Sequence, residues 1–257
     1  MAAGEGRRLR PLTERWPKPI LPIDGRPVIA TLLRDLAEAG IGTATIVTGH
    51  LAEQVEELVG DGSVFGIPVR FVRQPEPLGS ADAVRRALAD GAGAPLLVVA
   101  ADTVFQPGAL ARATSEWLGS GAPAGLAVRE SAEEGKTPVR VEHDRVVEID
   151  AEGGALTAAP LWFFAESVLR RLEDIPGPPF ELASAFRGEG GADIEVVALE
   201  VGPTRDLTRP EDVVVENFPY LWRRDERDLR PLQTGPGAPG AGPCGPGDRG
   251  AREGEAT

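Results

Sequence analysis

The chain has 257 residues, with 40 acidic and 27 basic side chains and a formal net charge of −13. That balance disfavours nucleic acid as a partner, because binding a phosphate backbone needs a dense cationic footprint. One cysteine, Cys244, and two histidines, His50 and His143, leave no room for a disulfide framework or a cysteine- or histidine-rich metal cluster. No uncharged stretch approaches the ~20 residues that span a bilayer, and no signal-peptide segment opens the chain, so a cytoplasmic protein away from membranes is expected.

The first segment is the richest. Gly4 and Gly6 permit a tight turn in which backbone N–H groups converge on an anion. Arg7, Arg8, Arg10, Arg15 and Lys18 set five cations around that turn against Glu5 and Glu14. Read from the residues alone, this is either a phosphate-binding loop or a flexible arginine-rich terminus. It is neither a Walker loop, since no Gly-Lys-Ser/Thr triplet occurs, nor a dinucleotide fingerprint, since position 9 is Leu.

Beyond the loop, short apolar runs alternate with amphipathic segments. Val28, Ile29, Leu32, Leu33 and Leu36 recur at helical spacing after Pro27, with Gly40 as a stop. Residues 43–47 read as a strand, 51–59 as a helix, 69–72 as a strand and 80–89 as a helix with Ser80 as its cap. The unbroken run Leu96–Val99 reads as a strand covered on both faces. A helix over 107–118 and a strand over 125–128 follow. The texture then changes: 138–142 and 145–149 form a hairpin across His143-Asp144, and 156–163 is a further strand. Helices over 166–172 and 180–186, a strand over 194–199 and a last helix from Pro210 complete the pattern. Residues 1–225 thus read as one domain with a strand-rich insertion at about 130–165. Residues 226–257, which include Cys244, are rich in glycine and proline with almost nothing to bury, and read as a disordered tail. Strand–helix alternation implies a mainly parallel sheet flanked by helices.

Residues 2–19 resemble the signature of the sugar-phosphate nucleotidyltransferases (NDP-sugar pyrophosphorylases): Ala2, Ala3, Gly4, Gly6, Arg8, Leu9, Pro11, Leu12 and Thr13, then Pro17, Lys18 and Pro19. The match runs on through Leu21-Pro22-Ile23 and Gly25–Ile29, with Met1 and Arg7 in place of the family's Leu and Thr. The resemblance implies a Rossmann-like three-layer α/β/α domain with a mainly parallel mixed sheet and a small strand-rich insertion. It implies that Ala3, Gly4 and Gly6 lie close to the nucleotide, that Arg8 contacts the triphosphate, and that Lys18 stabilises charge at the reacting phosphorus. Family members also carry an apolar strand just before the glycine loop. Met1 would then stand at the end of that strand, and a start upstream of Met1 is the favoured reading.

Gln74-Pro75-Glu76-Pro77-Leu78-Gly79-Ser80-Ala81 is similar to the family's base-binding loop and implies that Gln74, Gly79 and Ser80 face the nucleobase. Asp102 follows a buried run and so sits at a strand's carboxyl end, where open α/β sheets bind ligands. The resemblance makes it one ligand of a Mg²⁺ ion and Asp206 the other. Pro210, Glu211 and Asp212 match the same late motif but read as ordinary helix initiation.

The acceptor half resembles the family less. No Glu-Lys-Pro triplet occurs, and Ala158 and Pro160 stand where the family has Asn and Gly. Lys136, the only lysine besides Lys18, is either an acceptor-phosphate ligand or a solvated loop residue. The expected activity is Mg²⁺-dependent transfer of a nucleotidyl group from an NTP to a sugar 1-phosphate, giving an NDP-sugar and pyrophosphate. Two alternatives stand beside it: a cytidylyltransferase-like enzyme for an alcohol phosphate such as phosphocholine or inositol phosphate, and a non-catalytic regulatory homologue. The partners expected are an NTP and a small phosphomonoester, with a homo-oligomer compatible with both.

Overall fold

The computed structural model describes residues 1–130, 136–151, 155–186 and 194–218, all within one folded unit. The expected tail, Cys244 included, lies outside them. The strands are β1 (Pro22–Ile23), β2 (Arg26–Pro27), β3 (Ala44–Thr48), β4 (Val69–Arg73), β5 (Leu96–Val99), β6 (Thr103–Val104), β7 (Ala124–Glu130), β8 (Pro138–Glu142), β9 (Arg145–Ile149), β10 (Leu156–Phe164), β11 (Val196–Glu200) and β12 (Arg205–Asp206). The helices are α1 (Val28–Glu38), α2 (Ala52–Val59), α3 (Ser80–Ala89), α4 (Ala109–Ser120), α5 (Glu166–Leu169) and α6 (Pro210–Asn217). No helix among the described residues is long and apolar enough to cross a membrane.

Helix α1 forms where the apolar spacing places it. It buries Val28, Ile29, Leu32, Leu33 and Leu36 along one side and stops at Gly40, whose φ of +79° suits glycine. Two differences lie further on. The expected helix over 166–172 is α only through Leu169 and tightens to a 3₁₀ turn over Arg170–Leu172. The one expected at 180–186 is a 3₁₀ turn over Leu182–Phe186. Both segments follow or precede proline- and glycine-rich chain, too short for a sustained α-helix.

β3 and β4 pair in parallel, and a six-stranded sheet runs in the order β5-β10-β7-β11-β9-β8. Within the larger sheet β7 and β11 are parallel, while β10 runs antiparallel to both β5 and β7. The sheet is therefore mixed. Strand direction is not written in an apolar run, so only the connectivity around β10 reveals it. The hairpin β8–β9 forms as expected, with His143 and Asp144 at φ of +51° and +60° making a two-residue turn.

Met1–Ala3 joins the two sheets as a short stub. Ala2 bridges Thr48 in parallel and donates its N–H to Val47, while Met1 bonds Val99 and Ala101 on the other side. Upstream of that stub, an apolar slot of about 530 Å³ runs between β3 and β5. The core covers both sheet faces. On one, Trp117 of α4 packs on Phe163, ring centroids 5.2 Å apart, over Gly125. A Cβ at Gly125 would lie 3.0 Å from the Trp117 ring and 2.9 Å from Leu199 Cδ1, so glycine there eases the close approach of α4 to the sheet. On the other face Leu126, Phe164, Leu172, Leu182 and Val196 make a second cluster.

Candidate functional site

The glycine loop is a fixed cradle rather than a loose terminus. Gly6 adopts φ +60°, and its carbonyl accepts a bond from the Thr13 hydroxyl at 2.9 Å. His50 meets the Thr13 carbonyl at 2.7 Å and Gln54 the Arg15 carbonyl at 2.9 Å, so α2's entrance holds the loop's far limb. Buried Leu9 anchors its 3₁₀ turn. Within this cradle the cations separate by role: Arg7 turns out to pair with Glu5 at 2.7 Å, while exposed Arg8 makes no hydrogen bond or ion pair among the described residues.

Two short strands do what sequence spacing does not show. β6 and β12 pair antiparallel with Asp206 opposite Thr103, which sets Asp206 beside Asp102 across 104 positions of chain. Lys18, largely buried, pairs with Asp102, and Lys136 at the mouth of the hairpin donates to Asp206 Oδ2 at 2.7 Å. Arg129, at the end of β7, approaches the same oxygen at 3.9 Å. Burial raises the Asp206 carboxyl, but the Lys136 hydrogen bond and the charges of Lys136, Lys18 and Arg129 outweigh it and hold the group below its ordinary range.

Two cavities meet at this cluster. The smaller, about 450 Å³, is walled by Ala3, Gly4, Gly6, Gln74, Gly79 and Ser80. The larger, about 710 Å³, is walled by Arg129, Lys136, Trp162 and Asp206 among others. Arg8, Lys18, Asp102 and Thr208 border both. Ala3, Gly4, Gly6, Arg8, Lys18, Gln74, Gly79, Ser80, Asp102, Lys136 and Asp206, the expected site residues, are thus divided between two chambers and their common border.

Within the smaller chamber, Gln74 donates its amide nitrogen to the Gly79 carbonyl at 3.0 Å and to Asp82 at 2.8 Å; Asp82 is in turn held by Arg86 at 2.7 Å. Since both partners are acceptors, only the amide nitrogen can face them, which leaves the carbonyl end of Gln74 for a ligand. Ser80 corrects the expectation of a cap. Gly79, at φ +109°, precedes the helix, and the Ser80 hydroxyl bonds Glu181 at 2.8 Å and the Leu182 N–H at 2.7 Å. Asp212 is structural, as its place in the helix start suggests: it accepts the N–H groups of Thr208 and Arg209, both at 2.7 Å.

Asp102 at the chambers' border and Asp206 in the wall of the larger one are both oxygen donors, and no group of three or more ligating side chains occurs among the described residues. That donor set fits Mg²⁺, which binds through one or two carboxylates plus substrate phosphates and retained water. Sequence reasoning missed Arg129, Trp162 and the Asp82–Gln74 contact. For Arg129 a signal existed: a charge ending the apolar run Ala124–Val128, the pattern that drew attention to Asp102.

Residues 1–134, just over half of the chain, match the nucleotidyl transferase family profile. The chain is 39% identical over 107 residues to the N-acetylmuramate alpha-1-phosphate uridylyltransferase of Neisseria meningitidis, covering 40% of this chain and 46% of that one. It is 33% identical over 193 residues to the CMP-5'-(3-aminopropyl)phosphonate synthase of Streptomyces rubellomurinus, covering 66% and 28%. It therefore spans less than half the length of either relative. Among solved structures, the inositol-1-phosphate CTP transferase from T. maritima superposes with a TM-score of 0.70 at 20% identity, over 82% of this chain and 88% of that one, a likeness of fold. With its glycine loop, lysine and strand-end aspartate in the matched segment, the chain belongs to the nucleotidyl transferase family.

Proposed function

We propose that the protein transfers a nucleotidyl group from an NTP to a phosphomonoester, a sugar 1-phosphate in the first instance, with Mg²⁺ as cofactor. The observation that carries this reading is the common border of Arg8, Lys18 and Asp102 between a glycine- and amide-walled chamber and a cation-walled one. In it the nucleoside occupies the smaller chamber, with the Gln74 carbonyl facing the base, and the acceptor occupies the larger.

An oxygen of the acceptor phosphate attacks the α-phosphorus, the bond to the β-phosphate breaks, and pyrophosphate leaves. No covalent enzyme intermediate is needed, because positioning and charge neutralisation carry phosphoryl-type transfer. Arg8 holds triphosphate oxygens and Lys18 stabilises charge at the reacting phosphorus. Asp102 and Asp206 would hold the Mg²⁺, whose charge lowers the repulsion between two anionic reactants. Lys136 reaches the acceptor's phosphate from the hairpin.

A second reading, an alcohol phosphate or phosphonate as acceptor, is favoured by the larger chamber's wall. Leu126, Ala158, Ala159, Pro160 and Trp162 give it one apolar face. Its carboxylates are engaged: Asp102 with Lys18, Asp206 with Lys136, Asp212 in the helix cap and Glu216 with Arg205. None of these carboxylates is left to grip vicinal hydroxyls. The phosphonate-linked relative points the same way. The test is pyrophosphate release with Mg²⁺ across the five common NTPs, each against sugar 1-phosphates, phosphocholine, inositol phosphate and alkyl phosphonates. Turnover with one NTP and one acceptor class is expected. Tight nucleotide binding without turnover by any pair would make this a regulatory homologue.

A further inference from the structure

Three side-chain polar atoms among the described residues are buried without a hydrogen-bond partner: Arg129 Nε, Trp162 Nε1 and Thr204 Oγ1. All three belong to residues that wall the larger cavity. Buried donors are ordinarily satisfied, and each exception calls for a reason. Three exceptions around one cavity single out its wall as the place to look for a polar ligand.

Arg129 is the most telling of them. Its side chain is only 5% exposed. Its single ionic contact among the described residues, to Asp206 Oδ2, is 3.9 Å long, beyond hydrogen-bond range, and that oxygen already accepts from Lys136 at 2.7 Å. A counter-ion role for Asp206 is thus filled by Lys136, and the guanidinium remains a buried charge with most of its five donors unused. A buried ion without good partners is costly, and an apolar side chain would serve the strand better. The planar fork of arginine is instead suited to two oxygens of one tetrahedral anion.

We propose that Arg129 is a substrate-binding residue that, together with Lys136, clamps the acceptor's dianionic phosphoryl group, phosphate monoester or phosphonate alike. The anion's identity as the acceptor rests on the nucleotidyl-transfer reading. That a tetrahedral dianion binds at Arg129 does not. The two cations reach one anion from different elements, the end of β7 and the mouth of the β8–β9 hairpin.

The test uses the full chain and methylphosphonate as probe, measured by calorimetry without nucleotide, beside Arg129→Gln, Arg129→Lys and, as control, Arg112→Gln, an exposed arginine of α4 that lines neither chamber. Binding at least tenfold weaker in Arg129→Gln is expected, intermediate in Arg129→Lys and unchanged in Arg112→Gln. Once the acceptor is known, Arg129→Gln should raise its KM at least tenfold with the NTP's KM unchanged, whereas a purely structural role would shift both or neither. If Arg129→Gln does not fold, Arg129→Lys is read in the same way, because a lysine cannot make the paired contact. Equal methylphosphonate affinity in wild type and a folded Arg129 variant would overturn the proposal, as would no measurable binding to wild type. Arg129-dependent binding without transfer to any phosphomonoester would instead overturn the nucleotidyl-transfer reading and leave the clamp standing.

Discussion

Neutralising Asp102 or Asp206 would remove more than a proposed Mg²⁺ ligand. Asp102→Asn strips Lys18 of its partner, and Asp206→Asn leaves Lys136 and Arg129 facing each other in a half-buried pocket. Each change is expected to lower kcat at least 100-fold, about 3 kcal/mol of transition-state stabilisation. Higher Mg²⁺ should recover part of the loss. The two differ in stability: Asp206→Asn should also lower the unfolding free energy by roughly 1–3 kcal/mol, because two cations lose the carboxylate between them. The double variant should lose far less than the sum, since both residues act on one site. Glu211→Gln is the control. It is exposed in the first turn of α6, and turnover should stay near normal. A Glu211→Gln enzyme without activity, beside an active Asp206→Asn, would move the second ligand onto the helix.

At the scale of elements, the α3 entrance shows how a local conformation supports a chamber. Gly79 combines φ +109° with a position where a Cβ would lie 2.4 Å from the Phe180 carbonyl oxygen, and that segment of backbone bonds Leu78 and Ala81. Gly79→Ala must therefore strain the turn and push residues 180–182 away. The expected cost is about 2 kcal/mol or more in urea unfolding, with a raised KM for the NTP and little change for the acceptor. Gly93→Ala, where nothing lies within 4 Å, should be close to neutral. What was legible in the sequence follows the same division between local and long-range physics. The α1 stripe, the His143-Asp144 hairpin and the strand ending at Asp102 are local patterns, and each is found within a few residues. The antiparallel direction of β10 and the two-residue pairing of β6 with β12 depend on contacts far apart in sequence, and no periodicity encodes them. Arg129 went unread because a charge at a strand end has many ordinary uses. Its significance lies in which partners it lacks, and that is known only once the fold has assembled its neighbours.

For the molecule as a whole, the stub at Met1 links sheet assembly to pH. With a free amine at Met1, the amino group lies between the two sheets and donates to the Val99 carbonyl at 2.7 Å. Burial lowers it from 8.0 to about 6, partly opposed by the charge of Asp102. Between those values the unfolded chain holds a proton that the folded chain does not, so stability rises with pH from about 6 to 8 and is complete above 8. A shift of about two units corresponds to roughly 3 kcal/mol. Asp35 acts in the opposite sense at lower pH. Burial, with a smaller contribution from Glu38, raises its carboxyl from 3.8 to about 6, so its contribution is lost as pH rises through that window. Together they place a local minimum of stability near pH 6. Urea unfolding at pH 5, 6, 7 and 8 measures it, with Asp35→Asn expected to flatten the lower limb and Nα-acetylation the upper one. Four apolar β-branched residues appended before Met1 should run into the slot between β3 and β5, abolish the upper limb and raise the melting temperature by several degrees, at about 2–4 °C per kcal/mol gained. Stability that stays level from pH 6 to 8 in the free-amine chain, together with no gain on extension, would mean that the stub does not hold the two sheets together in solution.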